Sequence, residues 1–213
     1  MIIMNLIIDL CGSLITIDTG KIDRRLHALG VETEECYLKM YREGRVKEFD
    51  MGVITREEFC DNVREVLRCK LDNMSIFEAW NDLIVDFDLR NVEAVRKLAH
   101  KYRLFLLSNS DVENEACFRR YINGKVGYDF FARYFDEAVF SNAVKMRKPD
   151  PAIFRYVVER HGLVAEETML IDDCRKHCDN ALKAEIRAWQ CKGSIYNFES
   201  EILMTIRKNE NNK

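Results

Sequence analysis

Three short runs of almost unbroken apolar residues constrain this chain more than any other feature. Ile2, Ile3, Leu6, Ile7 and Ile8 lead to Asp9, Leu104-Phe105-Leu106-Leu107 leads to Ser108, and Met169-Leu170-Ile171 leads to Asp172. Runs of this length without polar alternation suit strands covered on both faces, as in a parallel sheet between helical layers. Ala138-Val139-Phe140 is a weaker fourth run, and Ile186 to Trp189 a fifth. Helical patterns lie between them. From Asn91 to Lys101 the apolar positions Val92, Val95, Leu98 and Ala99 share one face. Asp150 followed by Pro151 is an N-cap and first-turn pair, with Ile153, Phe154, Val157 and Val158 on one side and Gly162 as a stop. Strands alternating with helices predict an α/β fold with a Rossmann-like parallel sheet.

The stretch from Ile15 to Asp88 breaks this rhythm and contains no convincing strand. Lys21–Leu29 places Ile22, Leu26 and Leu29 on one face before Gly30, and Glu34–Arg45 is a second helical segment. Thr55-Arg56-Glu57-Glu58 and Ser75-Ile76-Phe77-Glu78 are capping-box sequences ahead of helically spaced apolar residues. The expected organisation is a core domain of residues 1–14 and 89–213, with a four-helix cap domain, residues 15–88, inserted after the first strand.

Composition excludes several partners. With 33 Lys+Arg against 36 Asp+Glu, the chain has no basic footprint for nucleic acid. Asn5 and Asp9 interrupt the apolar opening, which has no basic start, so neither a signal peptide nor a membrane span is expected. The 8 cysteines then read as reduced thiols, and the expected location is cytoplasmic. The expected assembly is a monomer or homodimer, and the polar tail Lys208 to Lys213 should fray.

In an open parallel sheet, ligands bind at the carboxyl ends of the strands. Those ends carry Asp9, then Ser108 with Asn109, then Asp172-Asp173, while Lys148-Pro149-Asp150-Pro151 precedes a helix between the last two. In this order, Ile7-Ile8-Asp9-Leu10-Cys11-Gly12-Ser13-Leu14, Leu106-Leu107-Ser108-Asn109-Ser110, Arg147-Lys148-Pro149-Asp150-Pro151 and Leu170-Ile171-Asp172-Asp173 resemble the four motifs of the haloacid dehalogenase (HAD) superfamily. The insert resembles its C1-type cap, and Phe49-Asp50-Met51-Gly52-Val53-Ile54-Thr55-Arg56-Glu57-Glu58-Phe59 is similar to caps of the epoxide-hydrolase-like branch.

The resemblance implies a Mg²⁺-dependent phosphatase of a small phosphorylated metabolite. Asp9 would be the nucleophile, forming an aspartyl-phosphate intermediate. The metal would be held by Asp9, by the backbone carbonyl of Cys11 and by Asp173, with Asp172 either a further ligand or the group that orients Lys148. Lys148 would neutralise nucleophile and phosphate, and Ser108 and Asn109 would bind phosphate oxygens. Three carboxylates, one lysine and one Mg²⁺ sum to zero before a dianionic substrate enters. Three departures from the family pattern stand out, the first being Ser13 where Thr or Val usually follows the motif-one glycine. Cys11 occupies the position where such phosphatases carry a second Asp, the general acid/base, and His177 stands where relatives in this branch commonly have Asn. A 2-haloacid dehalogenase also lacks that second Asp, but needs no metal. A degenerate relative that binds a phosphometabolite or a protein partner is the non-enzymatic alternative.

Plainer roles suit several other residues. Cys174 and Cys178, with His177 between them, lack the further ligands of a structural zinc site, so buried or capping roles are expected. Cys11 and Cys174 would lie on neighbouring loops, where a reversible disulfide would disable the metal site. Trp80, Phe77 and Phe87 are expected in the core of the cap, and His27, His100 and His161 at the surface.

Overall fold

The computed structural model describes residues 3–196 together with residues 200, 201 and 204. Ile2 and the tail Lys208 to Lys213 therefore lie outside the described residues. In chain order the elements are β1 (Asn5–Ile8), β2 (Thr16–Ile17), α1 (Gly20–Ala28), α2 (Cys36–Glu43), α3 (Val46–Asp50), α4 (Arg56–Leu67), α5 (Asn73–Trp80), β3 (Ile84–Asp86), α6 (Arg90–Ala99), β4 (Arg103–Ser108), α7 (Val112–Val126), α8 (Phe130–Tyr134), β5 (Glu137–Phe140), α9 (Ser141–Val144), α10 (Pro151–His161), β6 (Thr168–Asp172), α11 (Arg175–Ala181) and β7 (Arg187–Gln190).

All five expected core strands form and pair in parallel in the order β5-β4-β1-β6-β7. The alternation of their side chains explains the unbroken apolar runs. Leu6, Ile8, Leu104, Leu106, Met169 and Ile171 pack into one layer, whereas Ile7, Phe105, Leu107 and Leu170 pack into the other with Ile153, Phe154 and Val157 of α10. After β1 the chain builds outward through β4 and β5, then crosses to the opposite side of β1 for β6 and β7. The direction of winding therefore reverses between β1 and β6, which is where such sheets open a crevice for ligand. Asp150 caps α10 as its sequence predicts, accepting from the Ala152 amide at 2.9 Å, and Gly162 ends the helix.

The segment between β1 and α6 departs from expectation in three ways. It contains two strands: β2 and β3 pair antiparallel where the chain enters and leaves the helical insert. The insert has a short fifth helix, α3, besides the expected four. The cap ahead of Trp80 is Asp72 rather than Ser75, with the Asp72 carboxylate accepting from the Ser75 amide at 2.8 Å. The Thr55 capping box forms as predicted. Within the insert, Phe49 stacks on Phe59 at 4.2 Å, and Phe59 leans on Trp80 at 5.1 Å. Phe77 and Phe87 are buried. His27 and His100 are exposed, but His161 is half-buried, 4.6 Å from the Phe105 ring and 2.6 Å from Glu137. No helix among the described residues is long and apolar enough to cross a membrane.

Insert and sheet layer are joined by polar contacts. The Trp80 indole donates to Asp111 at 2.8 Å, Asn114 donates to Asn81 at 3.1 Å, and Arg56 pairs with Glu113 at 2.7 Å. Asp111 also caps α7, accepting from the Glu113 and Asn114 amides. Burial raises its carboxyl from 3.8 to about 6, against the pull of these donors. The fold thus holds the Asp111 proton more tightly than the unfolded chain does. This group favours folding most below about pH 4, and the benefit is withdrawn as pH rises through 6. Trp80→Phe removes one donor from a buried carboxylate. We expect urea unfolding to show a loss of about 1–3 kcal/mol at pH 8, and a smaller loss at pH 5, where the carboxyl is protonated.

Candidate active site

Strand β1 delivers Asp9 and strand β6 delivers Asp172 to the two sides of the crevice. Between them lies Lys148, an ammonium that is 1% exposed and donates to Asp9 Oδ1 at 2.6 Å and to Asp172 Oδ2 at 2.7 Å. Asn109 positions this lysine. Its side-chain oxygen accepts from the Lys148 amide at 2.8 Å, and its amide nitrogen donates to the Lys148 carbonyl at 2.9 Å. The Lys148–Pro149 peptide bond is cis. Asp173 stands beside Asp9 and Asp172, with one oxygen of each carboxylate within 4.8 Å of the others. Gly12 makes room for this cluster. Its φ is +85°, and a Cβ there would lie 2.2 Å from Asp173 Oδ2.

The charges explain the protonation of the group. Burial, with the nearby Asp172 and Asp173 carboxylates, raises Asp9 from 3.8 to about 7 despite the pull of Lys148. Asp172 is also buried, yet Lys148 and the His177 ring hold it well below the usual carboxylate range. Its Oδ1 accepts from the Cys174 amide at 2.9 Å and from His177 Nδ1 at 2.9 Å. Three carboxylates thus face one ammonium, and the cluster lacks positive charge. Hard oxygen donors short of positive charge suit a divalent cation such as Mg²⁺. Burial and Asp9 together push the Cys11 thiol well above the usual thiol range, so it stays protonated at neutral pH.

The Ser108 hydroxyl lies 2.8 Å from that of Ser110, and both are buried. The Ser110 amide donates to Ser141 Oγ at 2.9 Å, and Ser141 Oγ donates to the Asp50 carbonyl at 2.5 Å. The chain of contacts therefore runs from the end of β4 to the insert. Gly52 is docked nearby at φ +62°, where a Cβ would lie 2.5 Å from the Asn142 carbonyl.

A cavity of about 310 Å³ lies beside the cluster, against its neighbours. Cys11, Asn109, Cys174 and His177 line its sheet side, and Tyr37, Tyr41, Asp50 and Trp80 line it from the insert. Cys174 is therefore a cavity residue as well as the N-cap of α11, while Cys178 is buried with its thiol donating to the Asp172 carbonyl at 3.6 Å. Trp80, expected only in the core of the insert, serves as core and as cavity wall. Three larger hollows, of about 560, 590 and 360 Å³, lie away from the carboxylates, and among the described residues none has a comparable cluster. Sequence reading passed over Tyr37, Tyr41 and Asn114, and it quoted Asp50 and Arg147 only inside longer motifs. In the fold, Arg147 reaches Asp50 at 3.1 Å and the Tyr41 hydroxyl at 3.4 Å. Burial raises Asp50 from 3.8 to about 7, and Arg147 pulls against it.

Lys148→Met would leave Asp9 and Asp172 buried without their shared cation. Removing one partner of a buried pair costs about 3–5 kcal/mol. We expect a loss of that order in denaturant titrations at pH 8 with chelator present. The loss should shrink as pH falls and Asp9 takes up its proton.

Comparison with known proteins identifies the family. The family model for haloacid dehalogenase-like hydrolases matches residues 22–178. A D-ribitol-5-phosphate phosphatase from Bacteroides thetaiotaomicron is 26% identical over 175 residues, which span 80% of this chain and 83% of that protein. A crystal structure of a HAD family enzyme from the same organism, in complex with magnesium and inorganic phosphate, superposes with a TM-score of 0.81 at 30% identity, covering 90% of this chain and 95% of that one. The structure of a predicted HAD-like family hydrolase from Porphyromonas gingivalis shares the fold, with a TM-score of 0.83 at 23% identity over 97% of this chain and 99% of its own. The chain belongs to the haloacid dehalogenase-like hydrolase family.

Proposed function

We propose that this HAD hydrolase is a magnesium-dependent phosphatase of small phosphorylated metabolites. The observation that carries the reading is the buried cluster in which Lys148 joins Asp9 to Asp172 while Asp173 stands alongside. The relatives supply the reaction class, since one is named for phosphatase activity and another binds magnesium and inorganic phosphate. Asp9, Asp172, Asp173 and the Cys11 carbonyl would hold the ion, which supplies positive charge to the transferring phosphoryl group.

Asp9 attacks phosphorus, the ester P–O bond breaks, and the phosphoryl group passes to the carboxylate. Water then attacks the aspartyl phosphate, releases inorganic phosphate and restores Asp9. Lys148 neutralises Asp9 and the incoming phosphate, while Ser108 and the loop with Asn109 receive phosphate oxygens. The work of the site is positioning and charge compensation. The helical insert of residues 15–88 acts as the cap, confining substrates to those that fit the cavity, so phosphoproteins are excluded.

Cys11 sets the pace. The leaving alkoxide needs a proton, and a thiol held above its ordinary range donates it poorly. Positioned general acids contribute about 10²–10⁴-fold.

A panel of phosphorylated metabolites and 2-haloacids, assayed with Mg²⁺ or EDTA, tests the reading. We expect phosphate release that EDTA abolishes and Mg²⁺ restores, and that Asp9→Asn lowers by at least about 10³-fold. Halide release indifferent to EDTA would instead mark a dehalogenase. Silence on both panels, with thermal stabilisation by a phosphometabolite, would mark a binding protein. We further expect Cys11→Asp to raise kcat on alkyl phosphates by about tenfold or more, with a smaller gain on p-nitrophenyl phosphate, whose leaving group needs little protonation. Equal gains on both esters would place the limitation elsewhere.

A further inference from the structure

The end of the cavity formed by Asp50 and Arg147 has a chemistry of its own. Both side chains are mostly buried, 13% and 15% exposed, and they meet at 3.1 Å. Arg147 Nε is buried without a hydrogen-bond partner in the protein. The guanidinium's contacts at this end of the cavity run through Nη2, to Asp50 at 3.1 Å and to the Tyr41 hydroxyl at 3.4 Å. Beside the pair, Tyr37 stacks between Tyr41 and Trp80 at centroid distances of 6.1 and 6.0 Å, forming an aromatic wall. The pair belongs to the same cavity as Cys11, whose thiol feels the Asp50 carboxylate.

The geometry points to Asp50 and Arg147 as the residues that select the substrate's tail, admitting a polyhydroxylated monophosphate and rejecting a phosphate ester that bears a second anionic group. The inference rests on the reading that Asp9 attacks a phosphomonoester, and it adds what the rest of that ester must be. A carboxylate accepts hydroxyl protons and a guanidinium donates to hydroxyl oxygens, so the pair can hold neighbouring hydroxyls of a linear or cyclic polyol. The aromatic wall covers the C–H face of such a chain. Alone, Arg147 would attract a second phosphate or a carboxylate. Asp50 cancels that attraction and, once ionised above about pH 7, sets a negative charge against any anionic tail.

Two esters with one carbon skeleton isolate the effect: D-ribitol 5-phosphate, and D-ribonate 5-phosphate, which carries a carboxylate in place of the terminal hydroxymethyl group. The protein is assayed at pH 8, where Asp50 is ionised, with excess Mg²⁺ for kcat/KM on both, and Kd is measured by titration calorimetry. We expect the wild type to favour the polyol ester. Like charges set together in a binding site are strongly disfavoured. Asp50→Asn should therefore shift the ratio toward the ribonate ester by about tenfold or more, chiefly through KM. Arg147→Gln should shift it the opposite way, because Asp50 is then uncompensated, and it keeps the test decisive if Asp50→Asn fails to fold. Opposite shifts in the two variants support the assignment. Ratios within threefold of wild type in both, or shifts of the same sign, overturn it. A wild type without turnover on either ester defeats the phosphatase reading alone, and the Kd ratios then decide the tail assignment by the same criteria. Failure of both esters to bind any of the proteins overturns the assignment too.

Discussion

The architecture of the site depends on one buried ammonium. Lys148 is almost fully covered and is shared between carboxylates from strands on either side of the winding reversal. Two carboxylates at the ends of neighbouring parallel strands would repel, and burial would amplify the repulsion. The lysine turns that repulsion into a bridge. Its backbone has to be held rigidly for this, which is the service that the Asn109 side chain performs from the end of β4. Asp9, Asn109, Lys148 and Asp172 form one mechanical unit assembled from three strand ends and one turn. Asp172 is further pinned by the start of α11, through the Cys174 amide and the His177 ring.

The residual negative charge of this unit gives the site its chemistry. One lysine cannot balance three carboxylates, and burial raises the cost of leaving them unbalanced. Burial first, and the repulsion from Asp172 and Asp173 second, keep the Asp9 carboxyl raised. A site of this kind gains most from a divalent cation, which brings its charge to zero before a phosphate enters. The close approach of Asp173 to Gly12 shows how tightly the acidic groups have been drawn together.

How much of this was legible in the sequence follows from whether the signal is local. Burial on both faces writes itself into consecutive residues, so the runs before Asp9, Ser108 and Asp172 identified the central strands and their polar ends. Asp150-Pro151 likewise announced α10. By contrast, β2 and β3 have two and three residues and pair across the whole insert, so no periodicity betrays them. Asp72 and Ser75 both suit an N-cap, and nothing in their spacing shows that the carboxylate would prevail. Asp50 and Arg147 are 97 positions apart, and their meeting depends on how the insert sits on the sheet. Tyr37 and Tyr41 read as ordinary helix residues, because a cavity wall and a packed core ask for the same amphipathic face.

The pairing of β2 with β3 has a consequence for how such a chain tolerates change. The two passages between sheet and insert are clasped side by side by main-chain hydrogen bonds. The parallel sheet therefore meets a short closed loop, whatever lies between residues 18 and 83. The entropy of closing a loop grows only logarithmically with its length, by about 0.6 kcal/mol for each doubling. The insert can thus change in length at little cost in closure entropy, provided that the contacts docking Trp80, Arg56 and Asp50 on the sheet layer are kept. In such a chain the substrate-facing surface is free to diverge while the strands carrying Asp9 and Asp172 keep their register.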